Sequence, residues 1–231
     1  HAGCKAAGGD AATRERALGL GTLSGGSIAA SGFAAGVATT QVSYAFTAKA
    51  TAPQSLLLRA SNGAPGTALI SSLGGTEAML ALRSGRLRLS NAFGSASAPL
   101  QLAAVTEYWG GGAWLLNSAD SCTSLAGASV ALGNPRSATG AASTATTSAG
   151  ALAISGGNGL LTLAAPSPAG SSLSLDLALN LGSTATDQSC QATHPTTTGA
   201  AMPWLRTQNG SCAATADRDP AARASFGIFA P

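Results

Sequence analysis

The sequence predicts an all-β protein, built as one or more antiparallel β-sandwiches of many short strands, rich in loops and stapled by disulfides. Leucine alternates strictly with small or polar residues over residues 172–181, turn signals separate short apolar runs, and four cysteines lie far apart. The alternation puts five leucines on one face of a strand, whereas a helix would spread them around its circumference. Many short strands separated by turns are typical of sandwiches.

In chain order, residues 6–40 are mostly small and show little pattern beyond one helical turn at 13–20. Alternation and apolar runs then predict strands at 42–49, 55–60, 77–82, 87–89, 100–108, 113–116, 129–132, 160–164, 172–181 and 224–229. Turn signals stand between them at 62–66, 110–112, 133–135, 156–159 and 166–168.

Residues 137–150 are nearly pure Ala, Ser, Thr and Gly, which is typical of a linker. We expect this segment to be ordered only where neighbouring strands pair with its backbone. We divide the chain into an N-terminal strand and loop region, residues 1–76, which is a candidate for an extended or exchanged segment, and a β-sandwich domain, residues 77–231.

The composition restricts the function classes. Only 9% of the residues are charged, although 45% are hydrophobic, and 12 basic residues against 9 acidic ones give a net charge of +3 without a basic cluster. Nucleic acid is a poor partner because phosphate binding needs clustered cations. No uninterrupted apolar run reaches the roughly 18 residues of a transmembrane helix, so we expect no transmembrane segment.

The four cysteines are Cys4, Cys122, Cys190 and Cys212, and none forms a Cys-x-x-Cys pair. A zinc site normally takes two ligands that are close in sequence, so this spacing favours disulfides and an oxidising compartment over a metal site or free thiols. Three pairings are open. We favour Cys190 with Cys212, which bracket one loop, and Cys4 with Cys122.

Catalytic residues are scarce. A Ser-His-Asp arrangement needs a histidine base, and apart from the terminal His1 the chain offers only His194, in a loop bounded by Pro195. No Gly-x-Ser-x-Gly elbow supplies a nucleophile. We therefore expect His194 to be a structural or surface residue and the protein not to be an enzyme.

Charged residues near the C-terminal end predict a structural loop held by salt bridges, formed by Arg206, Asp217, Asp219 and Arg223. The alternative is a Ca²⁺ site, in which the two carboxylates and Asn209 supply oxygen ligands. The chain has no Asp-x-Asp-x-Asp-Gly run. We expect no cofactor and no metal, with Ca²⁺ as the alternative.

Four aromatic residues could stack against a sugar: Tyr108, Trp109 and Trp114 flank a triple-glycine turn, and Trp204 follows Pro203. A glycan platform needs an aromatic face beside hydrogen-bonding neighbours, whereas a core needs only burial. Core packing is the favoured interpretation because the chain has three tryptophans in all.

Several blocks of sequence together resemble one family. They are Gly85–Ser95 (GRLRLSNAFGS), Glu107–Trp109 (EYW), Asp120–Thr123 (DSCT), Leu161–Pro166 (LTLAAP), Pro203–Leu205 (PWL) and Asp219–Phe229 (DPAARASFGIF). In this order the blocks resemble the C-terminal region of MshQ-like proteins, which are associated with the MSHA type IV pilus of Gram-negative bacteria. The resemblance covers roughly residues 77–229.

The resemblance implies an exported, β-rich protein of the cell surface or of a pilus, with no known catalysis. Members often carry an Asp- and Gly-rich loop after the Trp-Leu block, and residues 208–214 replace it here. This departure weakens the Ca²⁺ alternative.

We therefore expect a non-enzymatic structural or adhesive component of a surface appendage, extracellular or on the outer surface of a Gram-negative bacterium. Its partners would be other copies of itself or pilus and fibre subunits, with surface glycans as a further class. The rival hypothesis is a self-assembling subunit of an extracellular fibre or sheath, because low charge leaves strand edges poorly protected against pairing. A carbohydrate-binding module or a hydrolase ranks below both.

Overall fold

The structure is a computed structural model that describes residues 21–46, 53–58, 78–189, 191, 194–206 and 218–227. The strands are β1 (Gly21–Ser24), β2 (Ser43–Phe46), β3 (Gln54–Leu58), β4 (Ala78–Leu82), β5 (Gly85–Leu89), β6 (Ala92–Gly94), β7 (Leu100–Trp109), β8 (Trp114–Leu116), β9 (Ser124–Leu125), β10 (Val130–Arg136), β11 (Leu152–Ser155), β12 (Asn158–Leu163), β13 (Leu173–Leu179) and β14 (Ala221–Phe226). Helical elements in these ranges are 3₁₀ turns at Ala30–Gly32, Gly127–Ser129 and Pro203–Leu205. The predicted all-β class is confirmed for this part of the chain.

Each predicted strand overlaps an observed one, but four observed strands were not predicted: β1, β6, β9 and β11. All four have at most four residues, and β1 and β6 consist mainly of small side chains. Their pairing is decided by neighbouring strands rather than by a pattern of their own. The helical turn predicted at 13–20 lies outside the described residues.

The chain divides into two compact units. The described residues of the first unit run up to Ser84 and include Trp109–Ala113 at the tip of a hairpin. Within it, β1 pairs antiparallel with β2, and β3 pairs antiparallel with β4. In the β3–β4 ribbon Leu56 lies opposite Leu80.

The second unit contains two sheets. One has four strands in the order β10-β13-β14-β6, and the other has the order β5-β7-β12-β11-β9 with β8 also pairing with β7. The pairs with a defined register are antiparallel except one, because β6 runs parallel to β14. The predicted antiparallel sheets are therefore confirmed apart from this edge, where the chain crosses from β5 to the other sheet before β7.

Both sheets contribute to one hydrophobic cluster in the second unit. The leucines of the alternating segment form its centre, and all five are at most 4% exposed: Leu173, Leu175, Leu177, Leu179 and Leu181. Leu102 and Leu161 from the larger sheet are fully buried in the same cluster. Removing one such leucine side chain from a close-packed core costs about 2–5 kcal/mol.

The opposite face of β13 differs from its prediction. Alternation predicts a solvent-exposed face there, yet Ala178 and Asn180 are fully buried and Asp176 is 7% exposed. The loop after β13 folds back over this end, because the Asn180 side chain donates to the Thr184 carbonyl and to the Thr197 hydroxyl. A loop without periodicity thus covers a face that the strand pattern left open.

Two stretches of small or turn-forming residues are extended in the structure. The second part of the segment 137–150, residues 146–150, pairs through its backbone with residues 162–167, for example Thr146 with Ser167 in both directions. The predicted turn at 133–135 lies inside β10, where a register shift between Gly133 and Arg136 absorbs Asn134 at a φ of 52°. A β-bulge places one extra residue without ending the strand, so this turn prediction is wrong.

The β11–β12 hairpin confirms the predicted turn at 156–159. Gly156 and Gly157 have φ values of 56° and 82°, as a two-residue hairpin turn requires. A Cβ on Gly157 would lie 2.8 Å from the Asn117 carbonyl oxygen. Glycine is therefore needed at this position for both its φ and its size.

Candidate functional site

The aromatic residues of the predicted ligand platform are divided between the two units. Trp109 belongs to the first unit, whereas Tyr108, Trp114 and Trp204 belong to the second. Trp204 is 46% exposed on the 3₁₀ turn Pro203–Leu205. Tyr108 and Trp114 are half-buried.

Trp114 is covered by a cation. The Arg86 guanidinium lies 4.1 Å from the centroid of the Trp114 ring, and Arg86 Nε donates to Glu107 Oε2 at 2.6 Å. Arg88 Nε lies 3.5 Å from Glu107 Oε1. Cation–π stacking of this kind is attractive over a tryptophan face. One face of Trp114 is therefore occupied by the protein itself, and Trp204 is the more open aromatic surface of the two.

Of the four charged residues of the predicted loop, the structure describes three: Arg206 and Asp219 pair with each other, and Arg223 pairs with Asp176 outside the predicted set. Asp219 is fully buried. Its Oδ1 accepts from Arg206 Nε at 2.6 Å and from the Leu181 N–H at 3.1 Å. Its Oδ2 accepts from Arg206 Nη2 at 3.0 Å and from the Gln188 N–H at 2.6 Å. The carboxylate thus ties the loop after β13 to the segment that enters β14.

Both Asp219 oxygens already accept hydrogen bonds, which leaves this carboxylate poorly placed to hold Ca²⁺. Its predicted companions Asp217 and Asn209 lie outside the described residues. Among the described residues, no group of three or more His, Cys, Asp or Glu side chains could hold a metal ion.

Arg223 does not join the Arg206–Asp219 pair. Its Nε and Nη2 lie 3.0 and 2.9 Å from Asp176 Oδ1, and Asn134 Nδ2 donates to Asp176 Oδ2 at 3.2 Å. The Arg223 side chain is 63% exposed, against 10% for Asp176. This second pair links the neighbouring strands β13 and β14 at the surface.

His194 is buried in the loop after β13 and faces a carboxylate. Its Nδ1 lies 3.1 Å from Asp187 Oδ2, and the two side chains are 3% and 4% exposed. The Ser189 hydroxyl lies 3.5 Å from the same Nδ1, while the Ser189 N–H donates to Asp187 Oδ1 at 2.9 Å. The other ring nitrogen, Nε2, is buried without a hydrogen-bond partner.

These contacts change the acidity of Asp187. Burial raises the pKa of this carboxyl, but the hydrogen bonds from His194 and Ser189 and the charge of His194 outweigh burial and lower the pKa to about 2. Asp187 is therefore ionised across the physiological pH range and accepts the proton of Nδ1.

Cys122 is the cysteine that the described residues contain, and it is not a free thiol. Asp120, which is 1% exposed, accepts from the N–H groups of Cys122 and Thr123 at 3.2 and 3.1 Å, and from the Thr123 hydroxyl at 2.8 Å. This carboxylate fixes the turn on which Cys122 lies. Cys4, Cys190 and Cys212 lie outside the described residues, so both pairings remain predictions.

The sequence did not predict several of these contacts. Asp187 and His194 are seven positions apart in the sequence, and Arg86 and Glu107 are 21 positions apart. No sequence motif predicts either pair. The Asp120-Ser121-Cys122-Thr123 turn has a signal that could have been used, because Asp followed by Ser and Thr favours a turn closed by its own side chain.

In comparison with known protein families, residues 83–230 match the model for the fourth domain of DUF6701. No curated protein and no solved structure matches the chain. In the part of the chain that the structure describes, no helix is long and apolar enough to cross a membrane.

Proposed function

The chain belongs to the DUF6701 family, and from this premise we propose that it is a non-enzymatic structural or adhesive component of a bacterial surface appendage. The resemblance to MshQ-like proteins supports the narrower proposal that the appendage is a type IV pilus and that the protein lies on the outer surface of a Gram-negative cell. A family model numbered as a fourth domain is consistent with a multidomain surface protein.

The geometry around His194 carries the non-enzymatic part of the proposal. In a Ser-His-Asp triad the carboxylate and the nucleophilic hydroxyl bind opposite nitrogens of the imidazole ring. Here the Asp187 carboxylate and the Ser189 hydroxyl both lie at Nδ1. A hydroxyl in that place competes for the orienting hydrogen bond and cannot pass its proton to Nε2.

The other described carboxylates support the same conclusion. Each accepts hydrogen bonds or pairs with an arginine of this chain: Glu107, Asp120, Asp176 and Asp219. General acid–base chemistry needs a carboxyl that can reach a substrate proton. These side chains instead connect strands and loops, which is the role expected of a rigid scaffold.

We propose that the two sheets of the second unit stack as a sandwich and that Cys4, Cys122, Cys190 and Cys212 form two disulfides, as suits an oxidising compartment. Intact mass after alkylation, with and without prior reduction, tests the disulfides. Four alkyl groups should appear only after reduction. Alkylation of four thiols without reduction would contradict both the disulfides and the compartment.

Immunogold labelling of cells that encode the protein tests the location, with a deletion strain as the control. Gold particles should follow the surface appendages of wild-type cells and be absent from the deletion strain. Labelling confined to the cytoplasm would overturn the proposal.

A hydrolase screen tests the non-enzymatic part. We expect no turnover by the wild-type protein. Turnover that is lost in His194→Ala and kept in Ser189→Ala would show that His194 acts catalytically and would contradict the proposal.

The adhesive part of the proposal rests on Trp204, the most exposed of the four aromatic residues of the predicted ligand platform. On a glycan array, binding that is lost in Trp204→Ala and kept in Trp114→Ala would support a sugar site on the 3₁₀ turn. Absence of binding by the wild-type protein would leave a purely structural role.

A further inference from the structure

Among the described strands, none pairs with the outer side of the edge strand β6. Its parallel register with β14, together with the bond from the Gly227 N–H to the Gly94 carbonyl at 2.7 Å, directs the main-chain groups of Ala92 and Gly94 towards β14. Alternation then directs those of Phe93 away from the sheet. Phe93 is 76% exposed, and the flanking Asn91 and Ser95 are exposed as well.

Three other sheet edges in the described part of the second unit, those of β5, β10 and β9, are less open. In β5, the main-chain groups that point away from β7 include those of Leu87, a residue only 1% exposed. β10 is interrupted by its bulge at Asn134 and Pro135, and β9 has two residues. A two-residue edge such as β9, a covered edge or a bulged edge resists pairing with another chain; the three-residue β6 carries no charge or proline, and no described residue covers Phe93.

We propose that β6 is the strand through which a second copy of this chain pairs with the first, antiparallel and centred on Phe93. The inference rests on the proposed structural role and extends it to self-assembly, the rival hypothesis that the low charge of the sequence supports. Pairing would join two four-stranded sheets into one sheet of eight strands across a two-fold axis.

The residues of β6 suit a two-fold arrangement with their own copy. Phe93 would face Phe93 of the second copy, Ala92 would face Gly94, and Asn91 would face Ser95. None of these side chains is charged, so no like charges meet, and aromatic residues directly opposite each other attract. The same arrangement at β5 would place Arg86 opposite Arg88 of the second copy, where like charges repel.

Substitutions at Phe93 should leave the fold intact because of where this side chain lies. Its side chain lies on the face of the sheet opposite the core, because the register places it beside Ser225, whose hydroxyl contacts Ser174. Ala92 faces the core instead. A substitution at Phe93 therefore changes the edge and the solvent face but leaves core packing intact.

Introducing a charge at Phe93 gives the sharpest test of the pairing. Self-association is measured by sedimentation equilibrium and native mass spectrometry. The wild-type chain should form dimers as its concentration rises. Phe93→Lys and Phe93→Glu should each weaken the dimer about tenfold, because like charges then meet at the axis. An equimolar mixture of the two variants should recover it as a heterodimer.

Leu160→Lys is the matched control, because Leu160 is 53% exposed on the outer face of the other sheet. This variant should dimerise like the wild type. A wild-type chain that stays monomeric, an equal loss in Leu160→Lys, or a mixture of charged variants without heterodimers would overturn the pairing.

The two proposals fail separately. A chain that labels surface appendages but stays monomeric contradicts the β6 pairing alone. A chain that pairs through Phe93 but is found only in the cytoplasm contradicts the proposed function alone.

Discussion

Asp219 and Asp176 each pair with one arginine, but in opposite surroundings. Asp219 is fully buried, and the Arg206 side chain that holds it is 10% exposed. Asp176 is nearly buried, whereas its partner Arg223 extends into solvent with 63% of its side chain exposed. The two pairs use the same residue types, and their partners lie close together in the C-terminal part of the chain.

The difference shows that burial, rather than residue type, decides what an ion pair contributes. Charges removed from water lose hydration, so breaking one partner of a buried pair leaves an uncompensated charge and is strongly destabilising. An exposed arginine keeps its hydration and is screened by salt, so its pair adds little. The sequence places Arg206, Asp219 and Arg223 in one group, and it carries no information on which of them is buried.

Asp219→Ala should give the largest effect. The substitution leaves Arg206 without its carboxylate, and the Leu181 and Gln188 N–H groups without an acceptor. We expect a loss of about 3–5 kcal/mol in the free energy of unfolding. The midpoint of denaturant unfolding, followed by circular dichroism, measures this loss.

The control replaces both partners. In Arg206→Met with Asp219→Leu, neither charge remains, and an apolar pair of similar volume is often tolerated at such sites. We expect the double variant to be more stable than Asp219→Ala. If the double variant loses as much stability as the two single variants together, the lost hydrogen bonds matter more than the uncompensated charge.

The parts of the fold that could be predicted are those with a repeating pattern. Leucine alternates with other residues over the nine residues from Leu173 to Leu181, so their strand and their buried face follow from the sequence. β6 and β9 have three and two residues, which is too short for a pattern, and only their neighbours determine them. Asn134 and Pro135 predict a turn, but the pairing of β10 with β13 continues past them through a bulge.

The candidate site was less predictable than the fold. His194 was correctly placed in a loop, but nothing in the sequence indicates that Asp187 lies 3.1 Å from its Nδ1. The exposure of Phe93 was also not predictable, because β6 pairs with β14, a strand about 130 residues later in the chain.

Substitution of Asp187 should cause an intermediate loss in the free energy of unfolding, and this loss should depend on pH. Its pKa is lowered from 3.8 to about 2 in the folded protein, so it stabilises the fold above about pH 4, and this contribution is lost as the pH falls towards about 2. Asp187→Asn removes the contribution. The stability difference between wild type and variant should be constant near neutral pH and shrink below about pH 4.

Denaturant midpoints across that range measure the difference. A difference that stays constant down to about pH 2 would show that Asp187 has the same pKa in the folded and unfolded chains. Among the described residues no guanidinium pairs with Asp187, which is why we expect a smaller loss of stability here than at Asp219.

Arg223→Ala should give the smallest effect. Asp176 keeps its hydrogen bond from Asn134, and a largely exposed pair contributes up to about 1 kcal/mol. At about 1 M salt the Debye length falls to about 3 Å, so the effect of Arg223→Ala should become smaller, while that of Asp219→Ala should persist. Urea midpoints at low and high salt test both variants together. If salt reduces the two effects equally, Asp219 is solvated in solution and the distinction between the two pairs fails.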